Sequence, residues 1–248
     1  MSLTIPSAGA LLLWFALFAP AALAGERPVL VLNDTNDAPF TNRERTGFLD
    51  MVAGEAFRRA GLELRLVKLP AERALWLVDR GLEDGDLTRI AGMEKRYPNL
   101  VRVPEKLLDW EFAAFSRDPA IAGSFEAIRG RSTGLIRGWK IYEAAMAGAA
   151  QVVAVEDAAQ LFRLLDLGRI EVALYATHMG VAHVEARGIA GVHVLQPPLA
   201  RREMFIYLHQ RHAQRVPAIA AALRELKREG AYRALFEAKV RGVAGGGS

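Results

Sequence analysis

The sequence predicts an α/β protein of two lobes joined by two extended segments. Three observations carry this. Strand-like and helix-like runs alternate at βαβ spacing from Arg27 to Ile90, and again from Ser132 to Thr177. Two long extended runs, "DWEFAAFS" (Asp109 to Ser116) and "RREMFIYLHQ" (Arg201 to Gln210), stand between and after those sets. Finally, 248 residues, 52% of them hydrophobic and 24% charged, suffice for one large domain or two small ones.

The elements follow in order. "RPVLVLND" (Arg27 to Asp34) is a short apolar run and reads as a buried strand. In "TGFLDMVAGEAFRRAG", Phe48, Leu49, Val52, Ala53, Ala56, Phe57 and Ala60 share one helical face, and Gly61 is the stop. "LELRLVKL" alternates as a strand; Pro70 opens the helix "PAERALWLVDRG" and Gly81 closes it. Asp84-Gly85 is a turn into the strand Leu87 to Ile90, which leads straight into the cationic cluster "GMEKRYP". Beyond Pro104, "STGLIRG", "AQVVAVED" and "RIEVALYAT" read as strands, with helices "WKIYEAAMAG" and "EDAAQLFRLLDLG" between them. "VPAIAAALRELKREGAYRALFEAKV" closes the chain with helices broken at Gly230, and "GVAGGGS" (242–248) reads as a disordered tail.

The N-terminus predicts export. An apolar run from Ala8 to Ala24 ends in Ala22-Leu23-Ala24, a small-x-small site, so residues 1–24 read as a secretory signal peptide cut after Ala24. The run falls short of the ~20 apolar residues that span a bilayer. With zero cysteines there is no lipid-attachment cysteine and no disulfide, so folding in the periplasm needs no oxidising step. The net charge of +4 is spread among acids with no basic run longer than two, which argues against a nucleic-acid stripe.

Five stretches carry a resemblance: "NDAPFTNRERTGFLDMVAGEAFRRAG", "GDLTRIAGMEKR", "GLIRGWKIYE", "LFRLLDLGRIEVAL" and "LRELKREGAYRALFEAKV". In this order the chain resembles the family 3 extracellular solute-binding proteins, the polar-amino-acid receptors of ABC importers. The resemblance implies a two-lobed, periplasmic-binding-protein-like type II fold with a two-strand hinge. Lobe one would span 25–112, lobe two 113–203, and 204–241 would return to lobe one. It implies a monomer that captures a small polar or anionic, amino-acid-like solute in the interlobe cleft for an ABC-type membrane permease, without a cofactor.

Ligands of open α/β sheets sit beyond the carboxyl ends of parallel strands, and this rule selects the candidates. Thr88, Arg89 and the loop to Arg96 follow the third strand. In the family, an arginine here clamps the ligand's carboxylate through paired hydrogen bonds. Arg96 matches that position best and Arg89 is the neighbour that substitutes; otherwise both are solvated loop arginines. Asn36, Asp37 and Phe40 lie in the loop after strand one, where Phe40 either stacks on the ligand or packs at the rim. Arg73, in the first turn after strand two, either faces the cleft mouth or pairs with Glu72 or Asp79. Gly138, Trp139 and Lys140 open a lobe-two helix whose N-terminal N–H groups favour an anion. Trp139 is a stacking face or a core aromatic.

Two departures from the family pattern bear on the ligand. Tyr175 and its neighbours stand where many amino-acid receptors carry an aspartate for the ammonium, and Ala38, not an aromatic, precedes Pro39. An anionic or neutral polar ligand is therefore expected over a standard α-amino acid. The five histidines form no metal signature, and no nucleophile elbow, phosphate loop or dinucleotide fingerprint is present. Glu143 and Glu171 would serve as general acids only if buried. Two rivals remain: a cyclohexadienyl-dehydratase-like enzyme, which needs a carboxylate aimed into the cleft, and a sensor or signalling input domain.

Overall fold

Leu30 and Leu32 alternate inward along the first strand, β1 (Val29–Asn33), and set the core of the first lobe. The computed structural model describes residues 26–241. The signal peptide and the tail expected from the sequence lie outside the described residues. After β1 come α1 (Phe48–Arg59), β2 (Glu63–Val67), α2 (Ala71–Asp79), β3 (Gly85–Ile90), β4 (Leu100–Arg102) and β5 (Leu108–Ser116). The chain continues through α3 (Phe125–Ile128), β6 (Thr133–Ile136), α4 (Lys140–Ala145), β7 (Val152–Val155), α5 (Ala158–Asp166), β8 (Val172–Ala176) and α6 (Thr177–Arg187). It ends with β9 (His193–Val194), β10 (Ala200–His209), α7 (Val216–Arg228) and α8 (Ala231–Phe236).

One curled sheet in the order β2-β1-β3-β10-β5-β8-β6-β7 runs through both lobes. β1 pairs in parallel with β2 and β3, and β6 in parallel with β7 and β8. These two parallel sets are the βαβ units expected from the spacing. The extended strands β5 and β10 join them. They pair antiparallel only from Leu108 to Phe112 against Met204 to Ala200. Beyond that overlap β10 continues along β3, and β5 along β8. The two-lobed, periplasmic-binding-protein-like type II fold with a two-strand hinge is thus built on one short antiparallel crossing.

Helix α1 buries the face its periodicity marked: Phe48, Leu49, Val52, Ala53, Ala56 and Phe57. Its start is held by Asp50, whose carboxylate accepts the N–H groups of Asn42 at 2.9 Å and Gly47 at 3.1 Å. Helix α6 has no counterpart among the sequence expectations. Gly180 in its middle lies against Phe115 of β5, where an added Cβ would stand 2.1 Å from the ring. That close approach requires glycine, and glycine weakens the helical signal. In the second lobe, the Tyr142 hydroxyl donates to Tyr175 O at 2.7 Å and Ala113 O at 3.0 Å, tying α4 to β8 and β5. Among the described residues, no helix is long and apolar enough to cross a membrane.

Candidate functional site

The loops after β1 and β3 face those after β6 and β8 across a cleft. On the first lobe's side, the chain leaves β1 at Asn33 and turns through Asp34. This buried carboxylate accepts the backbone N–H of Asn36 at 2.8 Å and its Nδ2 at 2.6 Å, and pairs with Lys68 at 2.8 Å. Lys68 also donates to Asn36 O, and to Thr41 Oγ1 at 3.1 Å. Thr88 of β3 donates to Asn36 Oδ1 at 3.1 Å. Its neighbour Arg89 is 6% exposed and pairs with the fully buried Asp86 at 2.6 Å. Burial pushes the Asp86 carboxyl up from its ordinary value, against the pull of Arg89.

The second lobe's side is aromatic. Trp139 stacks on Tyr175 (centroids 4.8 Å, 15°) and on Tyr142 (6.0 Å, 8°), with Trp110 and Phe112 of β5 at 5.8 and 6.1 Å. The lobes touch directly. Tyr175 donates its hydroxyl to Asp37 Oδ2 at 2.9 Å, and burial holds the phenol well above its usual range, so it stays a neutral donor. The Asp37 N–H meets Met179 Sδ at 3.2 Å. Lys140 bridges Glu72 of the first lobe and Glu143 of its own helix. Gly138, at φ 85°, packs so closely on α2 that a Cβ would stand 2.4 Å from the Glu72 nitrogen.

Two chambers flank the Trp139 ring, and Thr35 and Trp139 line both. The inner one, about 40 Å³, is bounded by Thr88, Arg89, Ile90, Met93, Trp110, Phe112, Gly138, Lys140 and Met204 among others. The outer one, about 260 Å³, carries Asp34, Asp37, Glu156 and Asp157 against Lys68, with Tyr175 on its wall. Two side chains of the inner wall each keep a buried N–H without a partner: Arg89 Nε and Trp110 Nε1. A buried donor left unmatched costs free energy that a ligand acceptor would recover.

The expected site residues divide. Thr88, Arg89, Gly138, Trp139 and Lys140 line the inner chamber, while Asp37, Trp139 and Tyr175 line the outer one. Phe40, Arg73 and Arg96 line neither. Phe40 is 2% exposed and packs against Phe48, Trp110 and His178 at 6.1–6.3 Å, so it is a core ring. Arg73 is exposed on α2, and Glu72, one of its expected partners, pairs with Lys140 instead. Arg96 is exposed at the end of the single 3-10 turn Met93–Lys95, its guanidinium 5.9 Å from the Tyr97 ring.

The anion subsite expected at the start of α4 is differently filled. The Gly138 N–H donates to Glu143 Oε1 at 2.7 Å, so the helix supplies its own carboxylate. Burial raises the Glu143 pKa, but Lys140 and the Gly138 N–H outweigh it and hold the group below its ordinary value. Sequence reasoning passed over Trp110, Asp34, Thr35 and Asp157 as cleft residues. Asp34 directly follows β1 and Asp157 stands two residues past the end of β7, so the carboxyl-end rule marks their positions. Trp110 lies within the hinge strand and has no local signal. Among the described residues, no group of three or more His, Cys, Asp or Glu is placed to hold a metal ion.

No family model matches the chain, and no curated protein does. Solved structures do. A histidine kinase sensor domain with similarity to periplasmic binding proteins is 19% identical at a TM-score of 0.76, over 86% of this chain and 96% of that one. A mutant of ArgBP from T. maritima is 20% identical at 0.73, over 86% and 95%. An L-arginine-bound amino acid ABC transporter substrate-binding protein from Streptococcus pneumoniae is 14% identical at 0.70, over 87% and 95%. The likeness establishes the fold, and it is consistent with the family 3 resemblance.

Proposed function

We propose that the chain is an exported, periplasmic solute-binding protein that captures a small polar solute between its lobes and presents the closed form to an ABC-type permease. The observation that carries this is the pair of unpartnered buried donors, Arg89 Nε and Trp110 Nε1, on one chamber at the lobe junction. Lobes at 25–112 and 113–203, with return through 204–241, a cleaved leader and a monomeric state belong to the same reading. Closure turns on β5 and β10, which overlap over only five residues each and so offer a compact hinge. Of the two arginines we assign Arg89 to the ligand, because it lines the chamber and Arg96 does not.

A thermal-shift screen of amino acids, amines, amides and organic acids tests this. At least one solute should raise Tm, and Trp139→Ala should abolish its effect. Arg96→Ala should leave the affinity within about 0.5 kcal/mol, as for an exposed substitution away from the ligand. A hit indifferent to Trp139 and Arg89 together would contradict the assignment.

A second reading is favoured by one comparison. The histidine kinase sensor domain has the same fold at a TM-score of 0.76, so a sensory input domain is the second reading. Cross-linking in intact cells followed by mass spectrometry separates the two by the membrane protein recovered.

A further inference from the structure

The charges around the cleft narrow the solute further, on the premise of the binding reading above. Arg89 brings little net charge to the inner chamber. Its Nη2 donates to Asp86 Oδ2 at 2.6 Å and to Ala71 O at 3.1 Å, and Asp86 is fully buried beside it. A carboxylate entering here would shed its hydration against an already neutral pair, in about 40 Å³ walled largely by Ile90, Met93, Phe112 and Met204. Lys140, also on this wall, is matched by Glu72 and Glu143, and behind the wall stand two unpartnered N–H donors, Arg89 Nε and Trp110 Nε1, on side chains 6% and 4% exposed. They suit a neutral acceptor, such as an amide or hydroxyl oxygen.

The outer chamber has the opposite balance. Lys68 matches Asp34 at 2.8 Å, and Arg137 matches Glu156 at 2.9 Å. Asp37 of the first lobe and Asp157 of the second have weaker compensation. Asp37 accepts the neutral Tyr175 hydroxyl and stands 4.0 Å from Lys68, while Asp157 accepts the Gln160 N–H at the start of α5. Hydrogen bonds from neutral donors leave a carboxylate its charge. Closing the lobes brings these two like charges onto one chamber, so closure favours a cation between them. The rings of Trp139 and Tyr175 line that chamber and add their negative faces. Because Thr35 and Trp139 border both chambers, one elongated solute can reach both.

We propose that the solute is an organic cation with an uncharged hydrogen-bond acceptor in place of a carboxylate. Its ammonium or guanidinium lies between Asp37 and Asp157 against Trp139 and Tyr175, and its acceptor meets Arg89 Nε and Trp110 Nε1. The test is titration calorimetry with matched pairs that differ only in that group: L-arginine against L-argininamide, and L-lysine against L-lysinamide. At least one amide should bind at least tenfold more tightly than its acid. Asp37→Asn and Asp157→Asn should each weaken that amide at least fivefold. Asp86→Asn, which uncovers the Arg89 charge, should shrink the amide-to-acid ratio. Acids that bind as well as their amides, or an amide indifferent to both aspartate changes, would overturn the proposal. If organic acids bind in a Trp139-dependent way, the binding reading stands and this inference falls. If neither the pairs nor any solute of the wider screen binds, both fall.

Discussion

The two walls of the cleft are built from different chemistry. The first lobe's wall is polar: Asp34, Asn36, Thr41, Lys68 and Thr88 are linked by directional hydrogen bonds and one ion pair. The second lobe's wall is a stack of rings, Tyr175, Trp139 and Tyr142, whose cohesion comes from contact area. Directional bonds fix where donors and acceptors stand before a solute arrives, which gives discrimination. Stacked rings accept a range of approach geometries.

Substitutions can break this division, and the largest effect is expected at its centre. Trp139 is 6% exposed and in contact with four other rings, so Trp139→Ala should cost about 3–5 kcal/mol of stability in urea unfolding. A loss near zero would mean that the ring serves the solute alone. Tyr142→Phe leaves the carbonyls of Ala113 and Tyr175 without their shared donor inside the aromatic wall. The expected loss is about 1–3 kcal/mol, read from the same unfolding curves.

Gly138→Ala acts at the seam between the walls. The positive φ alone should cost about 1–2 kcal/mol. The added methyl should also hold α2 away from α4, so scattering should show a more open molecule in the presence of solute. The smallest effect is on pH. Glu143 is held below the ordinary glutamate value of 4.5, so its contribution is fully present above about that pH and is lost as pH falls through the lower folded value. With its side chain 31% exposed and Lys140 as its partner, that contribution should stay under about 1 kcal/mol. Glu143→Gln should flatten the acid limb of the stability profile by no more than this.

The sequence speaks more clearly about the walls' scaffold than about their faces. Helix α1 shows its buried face in plain 3.6-residue spacing, and β5 and β10 stand out as long extended runs. Position at a strand's carboxyl end likewise marks Thr88, Arg89, Asp37 and Trp139, which line the two chambers. What spacing does not encode is pairing across the fold. Arg96 and Arg89 look alike in "LTRIAGMEKR", and only the turn at Gly92, with φ 90°, leaves one exposed and the other on the wall. Phe40 reads as a rim ring until Phe48, Trp110 and His178 close around it. Trp110 acquires its place only when Trp139, 29 residues on, folds against it.

Closure of the two walls on a solute is the claim on which the rest stands. Small-angle scattering of the protein, with and without the solute giving the largest thermal shift, tests it most directly. The radius of gyration should fall on binding, and in Gly138→Ala it should fall less. A solute that binds with calorimetric heat while the radius of gyration stays unchanged would contradict the account.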